Sequence, residues 1–261
     1  MSRRHVWGFV VRVILFIVAV FLFFTRREAL DFTVMPRFDF GGVFLCLVWV
    51  ILAAGMIRHL FPSKRVTMIA RRHSADLNRN EPDRESLISA EKVAAYKKLN
   101  RGVFFSAVAW ILSNAVVFIV LSLLNMLTPS AALALVIFYA VCDLVCVLFF
   151  CPFQVLFMQN RCCTVCRIHN WDCLMMCTPL ILFPNIYSLS LLLIAVVVLI
   201  RWEIVTRKSP YFFIEDITEN LCCVQCEEKL CQLRSNPWRR IIARRHGVIL
   251  NKRGNAYGKE N

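Results

Sequence analysis

Cys173-Leu-Met-Met-Cys177-Thr-Pro179-Leu-Ile-Leu-Phe183-Pro184-Asn185-Ile-Tyr187 opens an apolar run that continues to Ile200, and its reading decides the fold. As one helix these 28 residues would measure ~42 Å, more than a hydrocarbon core of ~30 Å requires. Pro179 and the Pro184-Asn185 pair interrupt the run, and proline removes a helix donor. A single crossing would leave residues 201–261, with 12 Lys/Arg, on the face opposite the polar segment before Cys173. A hairpin bent near Phe183-Pro184-Asn185 instead returns the chain to the face it left. Its arms would be short, ~15–20 Å each, a length tolerated where protein shields the backbone from lipid. The charge distribution favours the hairpin.

Working outward, four other apolar runs precede it. They cover Val6 to Phe24, Phe40 to Phe61, Val103 to Leu127, and Ala131 to about Met158, with a Thr128-Pro129-Ser130 turn before the last. Each is long enough to span a bilayer. The first is bracketed by Arg3-Arg4 and Arg26-Arg27, and Phe21-Leu-Phe-Phe24 is a poor approach to a cleavage site, so an uncleaved span is expected. Composition agrees. Of the 261 residues, 59% are hydrophobic and only 18% charged, whereas soluble domains are nearer half apolar. A soluble enzyme is excluded. The expected fold is an all-α integral membrane protein with four full transmembrane helices plus a broken or hairpin fifth apolar segment. Residues 1–61 form two N-terminal transmembrane helices, and 62–102 a basic cytoplasmic loop whose second half, Glu85 to Leu99, is helical. Residues 103–200 hold the later spans and the hairpin, and 201–261 a cytoplasmic basic tail.

Positive charge orients this bundle. With the N-terminus inside, segments 1–5, 58–102, 159–172 and 201–261 face the cytoplasm and carry 27 of the 31 Lys/Arg. The outside segments, 25–39 and 127–130, carry three. Lys and Arg concentrate on the cytoplasmic side of membrane proteins, so both termini are expected in the cytoplasm. The net charge of +14 then reads as basic loops meeting anionic lipid, not as nucleic-acid binding. In the tail, Asn236-Pro237 opens a stretch where Trp238, Ile241 and Ile242 alternate with Arg239-Arg240 and Arg244-Arg245. That pattern suits a short basic helix lying on anionic head groups.

The thirteen cysteines carry the strongest chemical signal. Cys46, Cys142, Cys146, Cys173 and Cys177 fall in or beside apolar runs, where a free cysteine is ordinarily a small hydrophobe. Two polar segments hold most of the rest: Asn160-Arg161-Cys162-Cys163-Thr-Val-Cys166, and Asn220-Leu221-Cys222-Cys223-Val-Gln-Cys226-Glu-Glu-Lys-Leu-Cys231. Two residues between cysteines turn both sulfurs toward one point, which suits tetrahedral ligation of zinc or an iron–sulfur cluster. Cys163, Cys166, Cys223 and Cys226 make a four-thiolate set, with Cys162, Cys222 and Cys231 as additional or alternative ligands. The 56 residues between the two pairs are no obstacle if the hairpin folds them together. The same spacing also serves thiol–disulfide exchange, and the cysteines are alternatively structural.

Cys151-Pro-Phe-Gln154, Asn160-Arg-Cys-Cys163 to Cys166-Arg-Ile168, Asn170-Trp171, Arg201-Trp-Glu203 and Asn220-Leu221 to Cys231 resemble an uncharacterised group of bacterial multi-pass membrane proteins. The resemblance covers roughly residues 151–231. It implies a cysteine site at a bacterial inner membrane and no particular reaction.

Arg12 and Asp143 lie within spans, where an ionisable group is costly and conspicuous. Both fall in the cytoplasmic half, so they can pair and lock the first span to the fourth, or line a path for ions. The leading expectation is a non-enzymatic membrane protein with a cytoplasm-facing cysteine-rich metal site, structural or electron-carrying. The rivals are a transporter or channel braced by its cysteines and a membrane thiol oxidoreductase.

Overall fold

The computed structural model describes residues 3–33, 39–60, 90–149, 151–153, 156–157, 167–208, 249–250 and 256–257. Both cysteine segments, the 62–89 part of the basic loop and the basic stretch after Asn236 lie outside the described residues. The helices are α1 (Arg3–Thr25), α2 (Phe40–Leu60), α3 (Ala90–Leu123), α4 (Pro129–Leu148), α5 (Asp172–Cys177) and α6 (Ile186–Lys208). Single 3₁₀ turns cover Arg27–Leu30 and Arg167–Asn170, and a 3₁₀ stretch, Thr178–Leu182, continues α5. A minimal antiparallel pair, Ile249–Leu250 with Ala256–Tyr257, is the described β structure.

The protein is an all-α membrane bundle. Five helical stretches are long and apolar enough to cross a bilayer: Trp7–Thr25, Phe40–Leu60, Asn100–Leu123, Pro129–Leu148 and Ile186–Arg207. Large apolar side chains stay on their outer surfaces, among them Ile17 (61% exposed), Ile111 (65%) and Leu193 (66%). Such a surface needs lipid as its solvent. The protein-facing side closes over Leu30, Met56, Leu133, Leu180 and Leu191, all fully buried.

Local chemistry sets the ends. α3 closes in a Schellman motif, with Met126 N–H donating to Leu121 O (2.8 Å), Asn125 N–H to Ser122 O (3.0 Å), and Asn125 at φ 53°. Thr128 then caps α4 by accepting from Ala131 N–H, with Pro129 in the first turn. α4 stops at Leu148 instead of continuing to Met158 as expected. Pro152 disfavours helical backbone at Cys151 and has no N–H to extend the ladder. α3, conversely, begins by Ala90, so the helical half of the basic loop runs straight into the third span.

The run from Cys173 bends where proline predicts, but its two arms are unequal. The first arm is short. Pro179 has no N–H for the Met175 carbonyl, and the Thr178 backbone N–H and Oγ1 donate to that carbonyl instead, the latter at 2.8 Å. From there the chain continues as a 3₁₀ helix, which rises ~2.0 Å per residue against 1.5 Å. Eleven residues, Asp172–Leu182, thereby extend ~19 Å, well short of a hydrocarbon core of ~30 Å. The second arm, α6, is a full span of 23 residues reaching Lys208, longer than the short arm expected to end at Ile200. The four full spans plus a broken or hairpin fifth therefore become five long helices and one short arm. Asn185 starts α6 by accepting from Ile186 N–H (2.6 Å), while Ser188 Oγ accepts from Asn185 N–H (2.8 Å), a reciprocal cap.

Packing fixes the sidedness of these elements relative to one another. α1 and α4 run antiparallel, with Phe9 against Phe149 (6.0 Å), Arg12 on Asp143, and Phe16 against Phe138 (5.6 Å). α2 and α6 run parallel. Tyr187 Oη donates to Leu45 O (3.1 Å), Trp49 Nε1 to Ser190 Oγ (2.9 Å), and Trp202 Nε1 to His59 O (3.2 Å). The start of α1 and the ends of α2, α4 and α6 thus share one face, joined by the start of α3 through Asn100. At the opposite face Ser130 Oγ donates to Arg27 O (2.8 Å), and Asn185 Nδ2 to Phe32 O (2.7 Å).

Candidate functional site

The face shared by the helix ends carries the polar chemistry. The 3₁₀ turn Arg167–Asn170 directly follows Cys166, and α6 supplies the carboxylate it meets. Arg167 Nε donates to Glu203 Oε1 at 3.3 Å, and its Nη2 donates to Oε2 to complete a two-pronged ion pair. The remaining guanidinium nitrogen, Nη1, donates to Asn100 Oδ1 at the start of the third span. Trp171 Nε1 donates to Glu203 Oε1 (3.1 Å), and Asn170 Nδ2 donates to Thr206 Oγ1 (2.9 Å). Asn170 and Thr206 are fully buried.

This clamp ties three elements through one carboxylate. A partly buried carboxylate is stable only when its lone pairs are used, and here guanidinium, indole and amide donors use them. The fork of Arg167 matches a carboxylate in a way lysine does not. The arrangement fixes the residue after one cysteine segment against the helix that leads to the other. Arg167, Asn170, Trp171 and Glu203 were singled out in the sequence only within the resemblance. The available signal was a lone acid, Glu203, at the end of an apolar helix and one turn before Thr206.

Within the membrane, Arg12 Nη1 donates to Asp143 Oδ2 (3.1 Å) and to Ala140 O (2.8 Å). The guanidinium also reaches α2, since a Cβ on Gly55 would lie 3.7 Å from Arg12 Nη2. The two intramembrane charges are therefore together. Cys163, Cys166, Cys223 and Cys226, and with them Cys162, Cys222 and Cys231, lie outside the described residues. Cys46, Cys142, Cys173 and Cys177 are in no disulfide.

One group of ligand-type side chains escaped the sequence reading. His59, at the end of α2, meets Asp172 and Cys173, at the start of α5, with ligand atoms all within 4.8 Å of one another. In sequence His59 reads as a span-end residue and Cys173 as a small hydrophobe. Only the fold joins them.

These features define a helical membrane protein with five helices long enough to cross a bilayer and a polar clamp on one face. No protein family, curated protein or solved structure matches the chain.

Proposed function

We propose that this is a bacterial inner-membrane protein that holds a metal in a cysteine-rich site on its cytoplasmic face and is not itself an enzyme. The site consists of Cys163, Cys166, Cys223 and Cys226, with Cys162, Cys222 and Cys231 as additional or alternative ligands. The metal is zinc or an iron–sulfur cluster, structural or electron-carrying. The basic tail rests on anionic lipid head groups.

One observation carries this reading. Glu203 binds Arg167, the residue next to Cys166, so the chain leaving the first cysteine segment is anchored to α6, which leads to the second. From Lys208 to Cys223 is 15 residues, a reach of up to ~50 Å, ample to return to the clamp. Thiolates brought together repel unless a cation compensates them, and a metal is the favourable solution in a reducing compartment. The excess of Lys/Arg on segments attached to this face supports its being cytoplasmic.

The test is metal analysis and the visible spectrum of protein purified without oxygen. Stoichiometric zinc and no visible absorption, or iron with a cluster chromophore, is expected. Replacing any one of the four cysteines by Ser should lower metal content and thermal stability together, while Cys46→Ser changes neither. Protein without stoichiometric metal, whose segment thiols react freely with no loss of structure, refutes the site. Reversible disulfides in place of metal identify a thiol oxidoreductase.

A further inference from the structure

We infer that His59, Asp172 and Cys173 form a second metal site, for a transition ion of the zinc class, and supply three of its ligands. These three residues lie outside the two cysteine segments.

The ligand atoms are an imidazole nitrogen, a carboxylate oxygen and a thiol sulfur, mutually within 4.8 Å. Ligands ~2.0–2.3 Å from one tetrahedral zinc stand roughly 3.3–3.8 Å apart, so closure needs a movement of about 1 Å, within the reach of side-chain torsions. The backbones are already held. Trp202 donates to the His59 carbonyl, and its neighbour Glu203 accepts from Trp171, the residue before Asp172. Two consecutive residues of α6 therefore pin both halves of the site.

Charge argues for a divalent cation. Thiolate and carboxylate carry one negative charge each and imidazole none, so the loaded site is neutral. Neutrality suits a group at the edge of the hydrocarbon, with Cys173 only 5% exposed. Mixed sulfur, nitrogen and oxygen donors select zinc or cobalt over calcium or magnesium, which take oxygen shells.

The same three residue types also compose a nucleophilic triad, and the geometry argues against one. There the carboxylate orients the imidazole. Here Asp172 is adjacent to Cys173 and its Oδ1 accepts the Cys173 N–H at 2.5 Å. A carboxylate beside the thiol opposes the thiolate a nucleophile needs, unless a cation neutralises both.

The experiment uses the full chain in nanodiscs with Cys162, Cys163, Cys166, Cys222, Cys223, Cys226 and Cys231 replaced by Ser, and cobalt(II) as the spectroscopic probe. One equivalent should bind, with a sulfur-to-cobalt charge-transfer band and the intense visible bands of tetrahedral cobalt, both removed by zinc. Cys173→Ser should abolish the charge-transfer band. His59→Ala and Asp172→Asn should each weaken binding by more than about a hundredfold, beyond what loss of an outer partner costs, with helicity unchanged by circular dichroism. A folded parent that binds no cobalt, or a Cys173→Ser protein with the same band and affinity, overturns the inference. So does rapid alkylation of Cys173 that His59→Ala suppresses, which marks a nucleophile. Should the seven-serine chain not fold, the readout moves to the otherwise unchanged protein. Its metal content should fall by one ion per chain on combining His59→Ala with Cys173→Ser, and an unchanged content overturns the site. Failure of the cysteine segments to bind metal leaves these results as they are, so the two sites are judged separately.

Discussion

Arg12 sits inside a span with two acceptors, Asp143 and the Ala140 carbonyl. Its charge is neutralised where lipid offers no solvation, and the pair links α1 to α4. Removing one partner leaves the other's charge in the span without its counter-charge, at a cost of roughly 3 kcal/mol. Asp143→Asn is therefore expected to lower the thermal midpoint of the detergent-solubilised protein, and adding Arg12→Leu to recover much of the loss. Independent, additive losses in the two single variants would show that the residues act apart. Glu203 is the corresponding anchor at the polar face. Glu203→Gln keeps an acceptor for Trp171 but strips Arg167 of its counter-charge. It should weaken metal retention by the cysteine segments roughly tenfold through misplacement, with the number of bound ions unchanged. Equal retention in the variant would show that the clamp serves the bundle alone.

At the scale of elements, the short arm and the turns at the opposite face are the most constrained parts. Gly41 starts α2 against the 3₁₀ turn Arg27–Leu30, and a Cβ there would lie 2.9 Å from both Cα and O of Ala29. Backbone cannot yield as a flexible side chain does, so Gly41→Ala should cost about 1–3 kcal/mol, seen as a lower unfolding midpoint. A midpoint equal to wild type would mean that the turn and α2 separate easily. The apolar runs and the bend at Pro184-Asn185 were legible in sequence, because length, hydropathy and proline act locally. The end of α4 at Leu148 was missed: Cys151-Pro152 marks it, but the apolar residues beyond carry the run on to about Met158. The inequality of the hairpin arms was not legible. It depends on a 3₁₀ stretch that lengthens one arm, and on Glu203 remaining helical because Arg167, Asn170 and Trp171 receive it.

Across the whole molecule, the hairpin decides which face each segment reaches. Charge counting argued that the return is needed, and the parallel packing of α2 with α6 provides it. The sites were less visible than the topology, because their members lie far apart in the chain. Arg167 looks like one more basic residue until Glu203 is beside it, and His59 like a span end until Asp172 and Cys173 are. The central claim is that both cysteine segments belong to one cytoplasmic face. Its most direct test is labelling of single cysteines by a membrane-impermeant maleimide, in a background lacking native cysteines. Lys64→Cys and Arg240→Cys should be labelled only when the cytoplasmic side is opened, and Asn125→Cys from outside in intact cells. Labelling of Arg240→Cys from outside would contradict the hairpin and part the two cysteine segments.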